Sequence, residues 1–178
     1  WQKVQGLVRA IDIYLERQGW WTEQLTALEM NLTAARQADD RRDEAWCLNS
    51  LGTTCWKRGE YDKALSWYEQ SLPIRREVGD RQGEAPTLDG IATIYRAQGR
   101  YDEALKQYQQ SLSICREIGD REVEGATLNN IATVYYTQGD YEQALEAFPG
   151  GSEATADQWY NRGNALARAG QLEAAIEA

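Results

Sequence analysis

Apolar side chains recur along this chain at steps of three and four, as in Leu48, Leu51 and Cys55 and then Tyr61, Ala64, Leu65, Tyr68 and Leu72. That spacing places them on one face of an α-helix and leaves the polar residues on the other. Breaks between successive stripes fall at Gly59, Gly99 and Gly139, where a glycine can take the left-handed conformation that ends a helix. A second set of breaks, Gly79-Asp80 and Gly119-Asp120, gives a helix-ending glycine and then an aspartate that can accept from the next helix's free N–H groups. The pattern predicts two helices per unit, a tight turn inside each hairpin and a capped turn between hairpins.

The units are copies of one another. Asp40-Arg41, Asp80-Arg81 and Asp120-Arg121 stand 40 apart, as do Leu48, Leu88 and Leu128. The block Leu88-Asp89-Gly90-Ile91-Ala92-Thr93 returns as Leu128-Asn129-Asn130-Ile131-Ala132-Thr133, and Tyr61-Asp62-Lys63-Ala64-Leu65 as Tyr101-Asp102-Glu103-Ala104-Leu105. Self-similarity at a fixed period marks a stacked repeat. The first helices carry Leu48…Leu51-Gly52, Leu88…Ile91-Ala92…Tyr95 and Leu128…Ile131-Ala132…Tyr135; the second helices pair a small residue with an aromatic four later, Ala64/Tyr68, Ala104/Tyr108 and Ala144/Phe148. In these residues the chain resembles the tetratricopeptide repeat family, in an extended form about six residues longer than the usual 34, like the variant of signalling scaffolds and large bacterial regulators. The resemblance implies an all-α fold, a right-handed superhelical array (α-solenoid) of antiparallel helix hairpins.

Five units follow. Residues 1–40 form a degenerate or capping hairpin, whose stripe survives as Val8, Ile11, Leu15, Gly19 and Trp21 while Asp12 and Gln24 stand where the family keeps small residues. Residues 41–80 and 81–120 are regular hairpins. Residues 121–151 form a fourth, cut short by Pro149-Gly150-Gly151-Ser152. Residues 152–178 form a partial repeat out of register, since Gly163 follows Ala132 by 31 where 40 is expected. Either the fourth hairpin is natively truncated or two stretches not adjacent in the parent are joined here, and the core face left uncovered after Phe148 favours the join. The chain opens at Trp1 without Met and stops inside a helical pattern, which reads as a piece of a longer polypeptide. Pro73, well inside a second helix, either kinks it or is a tolerated surface irregularity.

Composition narrows the partners. The net charge of −9 and pI near 4.6 oppose nucleic-acid phosphates and anionic headgroups. No apolar run approaches the roughly 20 residues that cross a bilayer, and no charged-then-apolar leader opens the chain. Cys47 and Cys55 lie eight apart on one helix, roughly 12 Å at the helical rise, too far for a disulfide. With Cys115 they read as reduced, packed thiols of a cytoplasmic protein. No histidine is present to complete a zinc site or act as the usual general base. Phosphate loops, dinucleotide fingerprints and nucleophile elbows are also missing. Acid pairs such as Asp39-Asp40 and Asp43-Glu44 sit at helix starts, where carboxylates suit the dipole. The expectation is a non-enzyme without metal or cofactor.

Of the seven tryptophans, Trp21, Trp67 and Trp159 fall on or beside core positions. Trp46 and Trp56 lie off the Leu48–Leu51–Cys55 stripe and on the side of Asn49 and Thr53, so both are expected to be exposed and to mark a contact. The resemblance implies that first helices line the concave wall and that partners lie along it as peptides or helices. Carried over residue by residue, the wall is Trp46, Asn49, Thr53, Trp56 and Lys57; Asp89, Thr93 and Arg96; Asn129, Asn130, Thr133 and Tyr136; and Tyr160, Asn161 and Asn164. Asn49, Asp89 and Asn129 form a ladder able to bond a partner's backbone, and Trp56 and Tyr136 offer apolar surface. The competing reading is a solvated polar face. The Lys/Asn/Arg clamp of chaperone-binding family members is missing from the corresponding positions, so a chaperone tail is not expected.

Three functions remain open. The first is a protein-interaction scaffold that holds a neutral to basic peptide or helix. The second is an intramolecular sensor arm of a larger bacterial signal-transduction NTPase or protease-like effector, suggested by Tyr14-Leu15-Glu16-Arg17-Gln18-Gly19-Trp20-Trp21. The third is self-association through uncapped repeats.

Overall fold

The computed structural model describes residues 20–147, 165 and 168–170. Seven helices occupy the continuous stretch: α1 (Trp21–Gln37), α2 (Arg41–Lys57), α3 (Tyr61–Glu77), α4 (Arg81–Ala97), α5 (Tyr101–Ile118), α6 (Arg121–Gln138) and α7 (Tyr141–Ala147). No strand occurs among the described residues, and the class is all-α. The chain forms two compact units, Trp1–Ile94 and Tyr95–Ala178. Residues 149–152 and the junction read there, together with residues 1–19 of the first repeat and most of the fifth, lie outside the described residues.

The punctuation is local, and it forms where the glycines and aspartates stand. Gly59 closes the α2–α3 turn at φ 77° and Gly139 the α6–α7 turn at φ 86°. Asp40, Asp80 and Asp120 each cap the helix that follows, their Oδ1 atoms accepting from the N–H of Asp43, Gly83 and Val123 at 3.0, 3.0 and 3.1 Å. One turn breaks the rule: Asp39 has φ 54°, at the position that Gly79 and Gly119 fill in the later repeats. Left-handed backbone strains a residue with a Cβ. Asp39→Gly is therefore expected to raise stability by about 0.5–1 kcal/mol, partly offset already by unfolded-state entropy, and the melting midpoint by roughly 1–4 °C. A thermal melt followed by circular dichroism checks it; a lowered midpoint would show that the Asp39 side chain is needed.

In the first unit Leu28 and Leu32 of α1, Ala45, Cys47, Leu48 and Leu51 of α2, and Ile74 of α3 form one buried cluster. The buried line of α3 is Ala64, Tyr68, Ser71, Ile74 and Arg75, and that of α5 is Ala104, Tyr108, Ser111, Ile114 and Cys115. Leu65 and Leu72 are only half-buried and Tyr61 is exposed. The stripe is shifted because small residues, not leucines, sit at the closest approach: Ser71 Oγ donates to the carbonyl of Ala45 at 2.8 Å. Gln24, in register with Ala64, Ala104 and Ala144, is buried like them. α3 runs unbroken through Pro73, which lies on its exposed side.

Successive hairpins are joined by a recurring clasp. Glu44 takes Arg36 Nε at 2.9 Å and Arg41 Nη1 at 2.5 Å; Glu84 takes Arg76 Nε at 2.7 Å and Arg81 Nη1 at 2.6 Å; Glu124 takes Arg116 Nε at 2.9 Å and Arg121 Nη1 at 2.8 Å. Each carboxylate is buried, and each is held by one arginine from the last turn of the preceding helix and one from the start of its own. The hydrogen bond from Arg116 is the main reason that the Glu124 carboxyl lies below the usual range. Carboxylates that look like plain dipole partners thus also tie one hairpin to the next.

Candidate partner-binding surface

The expected wall in the first unit starts on α2. Trp46 is not exposed: it is half-buried against the cluster built by α1, α2 and α3. α2 packs on helices at both flanks, so its buried arc is wider than one stripe. Trp56 and Lys57, near the free end of the helix, are exposed, and the Lys57 ammonium lies 6.0 Å from the Trp21 ring centroid. Between them the polar groups are fixed. Asn49 Oδ1 lies 2.9 Å from Thr87 Oγ1, whose hydroxyl is also 2.9 Å from the carbonyl of Gly83, so the carboxamide is tethered to the next repeat. Thr53 Oγ1 donates to the carbonyl of Asn49 at 3.1 Å and lies 3.0 Å from the Tyr68 hydroxyl. Asp89 and Thr93 are half-buried on α4.

Tyr68 was not expected on this wall. Its ring is buried between α2 and α4, facing Gly52 and Gly90, and burial holds its phenol above the ordinary value despite the Thr53 bond. The signal in the sequence was the pair of glycines, each standing where a side chain would strike the ring. Thr87 was missed as well; its link to Asn49 joins residues 38 apart.

In the second unit Arg96, Asn129, Asn130, Thr133 and Tyr136 are all half-buried. Thr133 Oγ1 donates to the carbonyl of Asn129 at 2.8 Å. Tyr136 packs beside the Ala132–Ala144–Ala165 cluster and meets the Tyr141 ring edge-on, centroids 5.4 Å apart, so part of its apolar surface is already used. Arg96 Nε is buried without a hydrogen-bond partner. Tyr160, Asn161 and Asn164 lie outside the described residues.

All three cysteines are buried free thiols, and burial pushes the Cys55 thiol up, away from its reactive form. Among the described residues no three His, Cys, Asp or Glu side chains are placed to hold a metal, and no helix is long and apolar enough to cross a membrane.

Hairpins of this length, capped at fixed spacing and paired through small residues, match the family model described as tetratricopeptide repeat over residues 8–77 and 84–148, and a second model of that description over 129–178. The chain belongs to the tetratricopeptide repeat family. Comparison with curated protein sequences finds no significant match. Among solved structures, this tetratricopeptide repeat chain is similar to BtubC (BKLC) from P. vanneervenii, with TM-score 0.80 and 17% identity over 93% of this chain and 73% of the other. It is also similar to a Rap protein complexed with Competence and Sporulation Factor, with TM-score 0.74 and 14% identity, covering 82% of this chain and 41% of the Rap chain. A third is a signal-transduction ATPase with numerous domains and a tetratricopeptide repeat sensor, from Pyrococcus horikoshii, with TM-score 0.71 and 19% identity over 92% of this chain. The chain spans 25% of that ATPase. At these identities the likeness is one of fold. Tetratricopeptide repeats generally serve as non-enzymatic modules that bind proteins or peptides, and this chain is a protein-interaction repeat module.

Proposed function

We propose that the first-helix wall of this module binds a peptide or helix of a protein partner, and that the chain does so inside the cell without catalysis or cofactor. The observation that carries the reading is the α2 face, where the Asn49–Thr87 and Thr53–Tyr68 bonds hold polar groups in place beside the exposed Trp56 ring. Groups already fixed lose little entropy on binding, and an exposed tryptophan beside them is a typical energetic anchor. The net charge of −9 favours a peptide that is neutral to basic overall and disfavours nucleic acid and anionic membranes. The Rap protein's complex with Competence and Sporulation Factor supports a ligand-binding role for this fold. The test is affinity capture with the complete parent protein, followed by calorimetry of the recovered partner against the triple variant Asn49→Ala, Trp56→Ala, Asn129→Ala. Binding is expected to weaken by a factor of about 30 or more, the scale of one lost hot-spot residue. Unchanged affinity would sink the wall assignment.

A second reading makes the partner intramolecular, with this chain the sensor arm of a larger regulatory protein. It is favoured by the likeness to the repeat sensor of the Pyrococcus horikoshii ATPase. Under it, the remainder of the parent, expressed separately, binds this chain and loses that binding with the same triple variant.

A further inference from the structure

Of the described arginines, nine end on a carboxylate or, for the clasps, share one: Arg36, Arg41, Arg58, Arg75, Arg76, Arg81, Arg100, Arg116 and Arg121. Arg42, on the exposed side of α2, and Arg168 are solvated. Arg96 differs from both kinds. Its side chain is half-buried at the end of α4, its Nε is shut off from solvent, and that Nε meets no acceptor. Desolvating a guanidinium nitrogen without replacing its hydrogen bond is a cost to the folded chain. Nothing local requires it, since the same position of the repeat is filled by Trp56 in α2 and Tyr136 in α6, both aromatic.

We infer that Arg96 is the anchor for one carboxylate of the bound partner, an Asp or Glu side chain within the peptide. This rests on the reading of the first-helix wall as the peptide site and adds the chemistry of one contact. The overall field of a chain at −9 selects a partner that is neutral to basic on average, but a half-buried guanidinium acts at short range and in low dielectric, where it outweighs the distant charges. A planar fork with several N–H donors matches a carboxylate in two-point geometry, as a lysine would not. Asn129 and Asn130, on the first helix of the following repeat, lie in the same unit and on the same expected wall, with amides suited to the backbone around such an acidic residue.

The experiment uses the full chain and an array of 12-residue peptides with amidated C-termini, each acidic peptide paired with a copy in which every Asp is Asn and every Glu is Gln. Arg96→Tyr and Arg42→Gln are compared with the unaltered chain. The expected result is a set of peptides bound at least tenfold better in the acidic copy than in the amide copy. That preference is abolished by Arg96→Tyr, kept by Arg42→Gln and weakened by added salt. The melting midpoint of Arg96→Tyr is expected to be equal or higher, because the variant removes a desolvated charge; a merely structural arginine would lower it. Peptides that bind wall-dependently but equally well as acid and amide copies overturn the anchor and leave the wall standing. If no peptide binds in a manner sensitive to Asn129→Ala, the anchor falls together with the wall of its own unit.

Discussion

Tyr68→Ala is expected to destabilise the first unit by about 3–5 kcal/mol, the range for removing a buried aromatic and leaving a cavity. At the size of this chain that lowers the melting midpoint by roughly 10 °C. The ring fills the space between two helices that were left without side chains to receive it. A Cβ on Gly52 would lie 2.8 Å from Tyr68 Cδ1, and one on Gly90 would lie 2.6 Å from its Cζ. Neither helix can close over the void, because their separation is set by the rest of the cluster and interiors relax only partly. Tyr68→Phe separates packing from polarity. It keeps the ring and removes the hydroxyl beside Thr53, and is expected to cost about 0.5–1.5 kcal/mol while loosening the wall around Thr53. Thermal and urea melts of both variants decide; equal losses for Ala and Phe would show that the hydroxyl, not the ring, holds the helices.

The parts of this architecture that depend on a few neighbouring residues were readable directly. Gly59 and Gly139 end helices because of their own φ angles, and Asp80 and Asp120 cap because the acceptor is three residues from the donor. Parts that depend on residues far apart were not. Arg76, Arg81 and Glu84 recur in register with Arg36, Arg41 and Glu44, so the clasp was visible as a pattern, but nothing local said that two hairpins would bring both guanidiniums to one buried carboxylate. Trp46 fell off the apolar stripe, and a single stripe understates burial for a helix flanked on two sides. A polar face on α2 beside Trp56 was legible, yet the contact that holds Asn49 comes from Thr87 in the next repeat. Periodicity names the face of a helix; which side chains on it are held still is decided by the neighbouring repeat.

The three hairpin boundaries share a clasp but differ underneath it, and that difference makes the sharpest test of the packing. The residues at the positions concerned are Ala35 and Asp43, Arg75 and Gly83, and Cys115 and Val123, each set in the same register of the repeat. Arg75 is buried, its Nη1 2.5 Å from Asp80 Oδ2 and its Nε 3.2 Å from Ser71 Oγ. Its guanidinium occupies the space that a side chain at position 83 would need: a Cβ on Gly83 would overlap Arg75 Nη1 and crowd Asp80 Oδ2. Gly83→Val must therefore expel a buried, paired charge. It is expected to cost about 2–4 kcal/mol, although valine is the better helix former. Arg75→Cys alone empties the site and is expected to cost about 1–3 kcal/mol, with Asp80 still capping the helix. Together the two changes place at this boundary the residue types that stand at the same repeat positions of the next one, Cys115 and Val123, so the double variant should recover most of the loss. The coupling expected from a double-mutant cycle in urea is about 2 kcal/mol or more in favour of the pair. Additive losses would mean that residues 75 and 83 do not compete for one space, and that the boundary is held by its clasp and cap alone.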